Sequence, residues 1–167
     1  LLALVMLTSI AFGNFVWNQL GNDINGEAQA DYSGNSISLS ADGTVIAIGA
    51  SNSFVGEIDG GGYGAGRVRL YQWNGSSWNQ LGNGINGKGL YDGSGSSVAL
   101  SSDGSIVAIG APSHDVNGNN TIYSQNGAGQ VRLYQWDGSS WNQLGNDIYG
   151  EALQDYSGSS VALSSDG

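Results

Sequence analysis

Short apolar runs alternate with glycine-marked turns along this chain, and no segment carries the apolar spacing of a long amphipathic helix. The clearest unit joins SVALS (residues 97–101) to SIVAIGA (residues 105–111) through Asp103-Gly104. Two β-rich runs around Asp-Gly predict a hairpin with a type I′ turn, in which both central residues need positive φ. In SIVAIGA, Ile106, Ala108 and Gly110 share one side of the pleat, and Val107, Ile109 and Ala111 the other. Both sides are apolar or small, which predicts a strand buried on both faces and closely approached by the next layer. A second hairpin is predicted from QVRLYQW (130–136) and SWNQL (140–144) around Asp137-Gly138, matched earlier by Asn74-Gly75.

The same phrases keep returning. GSSWNQLGN at residues 75–83 recurs letter for letter at 138–146, and WNQLGN already stands at 17–22. The successive tryptophans Trp17, Trp78 and Trp141 are 61 and 63 residues apart. SVALSSDG (97–104 and 160–167) and RLYQW (69–73 and 132–136) keep the same period. The chain is therefore read as about two and a half copies of one unit. Four short strands per unit, inner ones apolar on both faces and outer ones carrying Arg, Gln and Asn, predict an all-β fold: a partial β-propeller with four-stranded antiparallel blades of about 60 residues. A parallel β-helix is the runner-up, disfavoured because its turns are shorter and its strands are not joined by Asp-Gly hairpins. WNQL is then the outer strand of each blade, its Trp packed against the Tyr and Trp of the preceding RLYQW, the alternative being a sugar-stacking Trp in every blade.

Composition fits this pattern. Gly numbers 29 of 167 residues, yet the hydrophobic fraction is 40%, enough to build a core. Residues 1–13 (LLALVMLTSIAFG) form an uncharged apolar run shorter than the about 20 residues a spanning helix needs. With the small residues Ala11 and Gly13 ahead of Asn14, they read as the hydrophobic part of a signal peptide that lacks its basic start. Residues 14–167 then form the repeat region, read as part of a longer secreted or cell-surface protein. Cysteine is absent, so packing between units has to replace the disulfides common in small secreted domains.

The order SGSSVALSSDGSIVAIGAP (94–112), a long loop, then GQVRLYQW (129–136) resembles the FG-GAP repeat of integrin α-subunit propellers, especially its bacterial and marine-type variants. The Gly-Ala-Pro element stands as Gly110, Ala111 and Pro112, and as Gly49, Ala50 and Ser51 in the first copy. The Phe-Gly element stands as Ser33-Gly34, Ser94-Gly95 and Ser157-Gly158. The resemblance implies a ring of about seven blades with roles in adhesion or ligand binding. It also implies a calcium loop between the first two strands of a blade, but here that place holds only SSDG or SADG, with one carboxylate. Calcium takes about six to eight oxygens, so no calcium is carried over and no cofactor is assigned.

Other candidate chemistry is thin. Asp23, Glu27 and Asp31 recur as Asp147, Glu151 and Asp155, but the middle copy has Gly84, Lys88 and Asp92, which argues against a repeated metal site. Asp115, Asn117 and Asn119 alternate like the start of a calcium loop without its glycine position or closing glutamate. His114, the one histidine, lies between Ser113 and Asp115 and reads as a solvent-facing loop residue rather than a triad member. GGGYGAG (60–66) lacks the Lys and Ser/Thr of a phosphate loop. A net charge of −10, from 4 basic and 14 acidic residues, leaves no phosphate-neutralising surface and no basic lipid-binding face, so no nucleic-acid partner and no membrane insertion beyond the signal peptide are expected.

The loops spanning residues 51–66 and 112–129 join equivalent strands but share almost no sequence, and function on rigid scaffolds tends to lie on such loops. Tyr63 and Tyr123 are the candidate ligand contacts. The expected function is recognition of a protein or glycan ligand without catalysis. Alternatives are accessory blades of a larger extracellular hydrolase or lyase, or a structural spacer array.

Overall fold

The computed structural model describes residues 18–54, 64–115 and 127–167. The apolar run at 1–13, Trp17, Tyr63, Tyr123, Asn117 and Asn119 lie outside the described residues. Within them the protein is all-β, with nine strands and no helix. The first sheet has the order β1 (Ser33–Leu39), β2 (Val45–Ala50), β3 (Arg67–Trp73), β4 (Trp78–Gln80), with β5 (Ile85–Asn86) also pairing β3. The second sheet has the order β6 (Ser97–Leu100), β7 (Ile106–Ala111), β8 (Gln130–Trp136), β9 (Trp141–Tyr149). Every pairing within the sheets is antiparallel, and all but that of β5 with β3 join strands consecutive in the chain.

Alternation decides which side chains meet. Register aligns Ser38, Ala47 and Leu70 across the first sheet, and Leu100, Val107 and Tyr134 across the second. Ala47, Val68 and Leu70 of the first sheet pack against Val98, Leu100, Val107 and Ile109 of the second to form the core. The middle strands β2 and β7 are buried along almost their whole length, as a strand covered on both faces should be. At β1 the residues that correspond to Val98 and Leu100 are Ile37 and Leu39, which are 61% and 52% exposed.

Glycine sets the distance between layers. A Cβ on Gly49 would collide with the carbonyl of Gly95 and with Ser36 Oγ; one on Gly110 would collide with the carbonyl of Gly158 and with Ser97 Oγ. Ser36 Oγ donates to Gly95 O at 2.7 Å, and Ser97 Oγ donates to Gly158 O at 2.8 Å. Leu100 N adds a bond to Ser38 Oγ at 3.0 Å. The polar residues within these apolar strands thus bind the neighbouring layer's backbone instead of facing water.

The Asp-Gly hairpins stand where the sequence put them, but not with the type I′ geometry. Only the glycines have positive φ, 71° at Gly43 and 72° at Gly104. Gly43 N closes on Ser40 O at 3.0 Å, and Ser40 N bonds Val45 O at 2.9 Å, so the loop is longer than two residues. The cause lies in the aspartate: Asp42 Oδ1 accepts from Ser40 Oγ, Thr44 N and Thr44 Oγ1, and Asp103 does the same with Ser101 and Ser105. These bonds hold Asp42 and Asp103 below the usual carboxylate range. The repeated GSS after the second hairpin has an equivalent cause, since Asn74 Oδ1 caps the N–H groups of Ser76 and Ser77, and Asp137 Oδ1 those of Ser139 and Ser140.

Candidate functional site

The recurring tryptophans do more than pack within a sheet. Trp73 and Trp78 face each other in register with ring centroids 5.4 Å apart, and Trp136 and Trp141 repeat this at 5.4 Å. The second Trp of each pair also reaches the segment before its own sheet: Trp78 Nε1 donates to Leu20 O at 3.0 Å, and Trp141 Nε1 to Leu81 O at 3.1 Å. Gly21 and Gly82, with φ of 71° and 63°, let the backbone lie against the rings of Trp73 and Trp136, where a Cβ would clash. WNQLGN is thus two halves of one junction: its tryptophan closes on the LGN of the preceding copy.

Beside each tryptophan this junction leaves a crevice. The first, of about 290 Å³, is lined by Asn22, Asp23, Asn25, Arg69, Tyr71 and Trp78, with Ser77 at its edge. The second, of about 360 Å³, is lined by Asn83, Ile85, Tyr134, Ser139, Ser140 and Trp141. Asn22 and Asn83, Tyr71 and Tyr134, Ser77 and Ser140, and Trp78 and Trp141 hold corresponding places in the recurring phrases.

The tyrosine of each crevice is paired with a buried arginine of its own strand, and of the two arginines Arg69 reaches the lining. Arg69 Cζ lies 5.7 Å from the Tyr71 ring centre and Arg132 Cζ 5.6 Å from that of Tyr134. Arg69 NH2 donates to Asn25 O at 2.8 Å and Ser33 Oγ at 3.1 Å; Arg132 NH2 donates to Asn86 O at 2.9 Å and Ser94 Oγ at 3.0 Å. Arg132 NH1 donates to Tyr134 Oη at 2.8 Å, while its Nε has no partner. Burial pushes both tyrosine phenols up, against the opposing pull of the arginines, so they are neutral hydroxyls near pH 7. Lone strands reveal none of this, because each arginine sits among apolar neighbours in RVRLYQW or QVRLYQW and its acceptors outside the strand lie 36 to 46 residues earlier in the chain.

The acidic residues are structural in part. Asp31 and Asp92 are buried and cap loops: Asp31 accepts from the N–H groups of Glu27, Ala28 and Ser33, and Asp92 from that of Gly89. Burial opposes ionisation of Asp31, but those three N–H bonds and nearby Arg69 hold it below its usual range. Glu27 pairs with Arg67. Asp147 Oδ2 accepts from Lys88 Nζ (2.7 Å), Gln130 Nε2 (2.8 Å) and Tyr149 Oη (2.8 Å), and Oδ1 from Gln143 Nε2 (2.6 Å). Although burial works the other way, Lys88, Tyr149 and Gln143 lower Asp147 to about 2. Among the described residues no group of three or more His, Cys, Asp or Glu is arranged to hold a metal ion.

His114 is not the solvent-facing residue that its polar surroundings in the sequence suggest. Its side chain is 12% exposed, its Nδ1 is 3.0 Å from Asp92 Oδ2, and its ring stacks on Tyr149 at 5.6 Å. The chain after β7 turns back beneath the Asp92 loop, where Ser113 N bonds Asp92 O at 3.2 Å, and this carries the imidazole inward. Its two neighbours come from the Asp92 loop and the end of β9, so adjacency in sequence could not reveal them.

The loops that carry Tyr63 and Tyr123 enter β3 and β8 at the end away from the tryptophan hairpins. No protein-family model and no curated protein matches the chain. No helix among the described residues is long and apolar enough to cross a membrane.

Proposed function

We propose that the chain is a section of a secreted or cell-surface β-propeller of the FG-GAP, integrin-α-like kind, and that it works by recognising protein or glycan ligands rather than by catalysis. The observation that carries this reading is the tryptophan junction between each sheet and the WNQLGN segment of the preceding copy, built twice from the same phrase and leaving a small crevice each time. Two antiparallel sheets, each with four strands in chain order and packed together through apolar residues, support this reading, since adjacent propeller blades have that arrangement. Residues 1–13 and the absence of cysteine support export followed by stabilisation through packing. A rigid scaffold with recurrent small crevices suits repeated weak contacts that add up.

The test is adhesion. Beads coated with the chain should hold to a surface carrying mucin and extracellular-matrix glycoproteins, and excess soluble chain should release them. Coated beads that hold no better than albumin-coated ones would remove the recognition reading. Imaging of the protein with all its repeats would reject the propeller if the units form an open rod instead of a ring.

A further inference from the structure

We infer that the two tryptophan crevices are binding sites for the rings of neutral saccharides, one ring or a short segment per crevice, so that one polymer can be held at consecutive junctions. This rests on the recognition reading above and names its ligand class and its location.

Size comes first. Volumes of about 290 and 360 Å³ stand at the low end of ligand sites, roughly 300 to 1,000 Å³. That suits one or two sugar rings and is too small for a folded segment of another protein. Charge excludes anions. The second crevice has no charged side chain in its lining, the arginine of the first already serves Asn25 O and Ser33 Oγ, and Asp23 stands beside it. The whole chain adds a net charge of −10, so a phosphorylated or sulfated ligand would be repelled.

What remains is a group with an apolar face and a polar rim. The tryptophan supplies the face: a π-system is negative above its plane and attracts the slightly positive C–H bonds on one side of a pyranose. Its ring is held in advance by Nε1 bonds to Leu20 O or Leu81 O, so little side-chain freedom is lost on binding. The rim is amide and hydroxyl. Asn22 or Asn83 and Ser77 or Ser140 can donate to and accept from vicinal hydroxyls. Tyr134 Oη already accepts from Arg132, which leaves its own O–H proton to donate.

The test uses the whole chain with methyl glycosides of glucose, galactose, mannose and N-acetylglucosamine, and then polyacrylamide bearing whichever glycoside binds. Saturation-transfer NMR should show saturable binding with Kd of about 0.1 to 10 mM for at least one glycoside. The polymer should bind at least about tenfold more tightly than the monomer, since linked sites act at high effective concentration. Ser77→Trp and Ser140→Trp each fill one crevice from an exposed hairpin position, with circular dichroism checking that the sheets remain. Either variant alone should lose the polymer's advantage, and the double variant should lose binding altogether. Trp78→Ala combined with Trp141→Ala should weaken the glycoside at least tenfold. The inference is overturned if no glycoside saturates, or if the double variant binds like the parent. Adhesion that persists while no glycoside competes would sink this inference and leave recognition standing; absent adhesion would sink both.

Discussion

Replacing Gly49 by alanine tests whether the glycine contact between the two sheets governs stability. Gly49 has no positive φ, so alanine is conformationally allowed there and the effect is steric. Its methyl would occupy the space of Gly95 O and Ser36 Oγ. Restoring van der Waals separation requires the layers to part by about 1 Å. Parting them weakens the Ser36–Gly95 bond at 2.7 Å and the Leu100–Ser38 bond at 3.0 Å, each contributing about 1 kcal/mol, and loosens the core behind them. Together with the cost of overpacking, the expected loss is about 2–4 kcal/mol. Gly43→Ala is the comparison: φ is 71° but nothing lies within 4 Å, so only backbone strain of about 1–2 kcal/mol enters. Urea unfolding followed by tryptophan fluorescence measures both. A Gly49→Ala variant within about 0.5 kcal/mol of the parent would refute the close-approach argument.

Three further outcomes follow from the same geometry. Leu70→Ala, at a side chain 1% exposed in the core, should lose about 2–5 kcal/mol by urea unfolding, whereas Ile37→Ala should stay within about 0.5 kcal/mol. Arg132→Ala should lose about 2–4 kcal/mol because Tyr134 Oη, Asn86 O and Ser94 Oγ all lose their donor; Arg132→Lys should recover less than half, since one ammonium cannot span the three. Asp147 is lowered from 3.8 to about 2, so its contribution is present above its unfolded pKa and lost as pH falls through about 2. Urea midpoints should decline from about pH 4 to pH 2, and Asp147→Asn should flatten that decline.

Local residues predicted local structure well. SVAL at 97–100, IVAIGA at 106–111 and QVRLYQW lie in strands, and the SWNQL phrase forms a strand over Trp78–Gln80 and from Trp141 on, whereas the SVALS copy at 160–164 is not in a strand; the Trp pairs face each other as the hairpins require. The turn type was missed because Asp42 and Asp103 bind their neighbours' N–H and hydroxyl groups, and this competes with the two-residue geometry that Asp-Gly otherwise favours. The crevices were missed for another reason. Asn22 and Trp78 are far apart in sequence and meet only when two copies of WNQLGN stack. A signal existed: the phrase continues past the strand into LGN without change, although a surface turn needs no fixed leucine or asparagine. His114 and the buried arginines were misread or passed over because their partners outside the local segment lie 22 to 46 residues away in sequence.

The glycine contact between layers also bears on how such a chain can change length. One face of the first unit presents Gly49, and the next unit's Gly95 carbonyl fits against it; Gly110 and the Gly158 carbonyl repeat the fit. Each unit is thus a plug on one side and a socket on the other, and the two sides are not copies of each other. An in-frame duplication inserted between two units would meet a matching socket behind it and a matching plug ahead. Gain or loss of a unit by recombination therefore requires no new interface, only a tolerable change in the angle accumulated around the array.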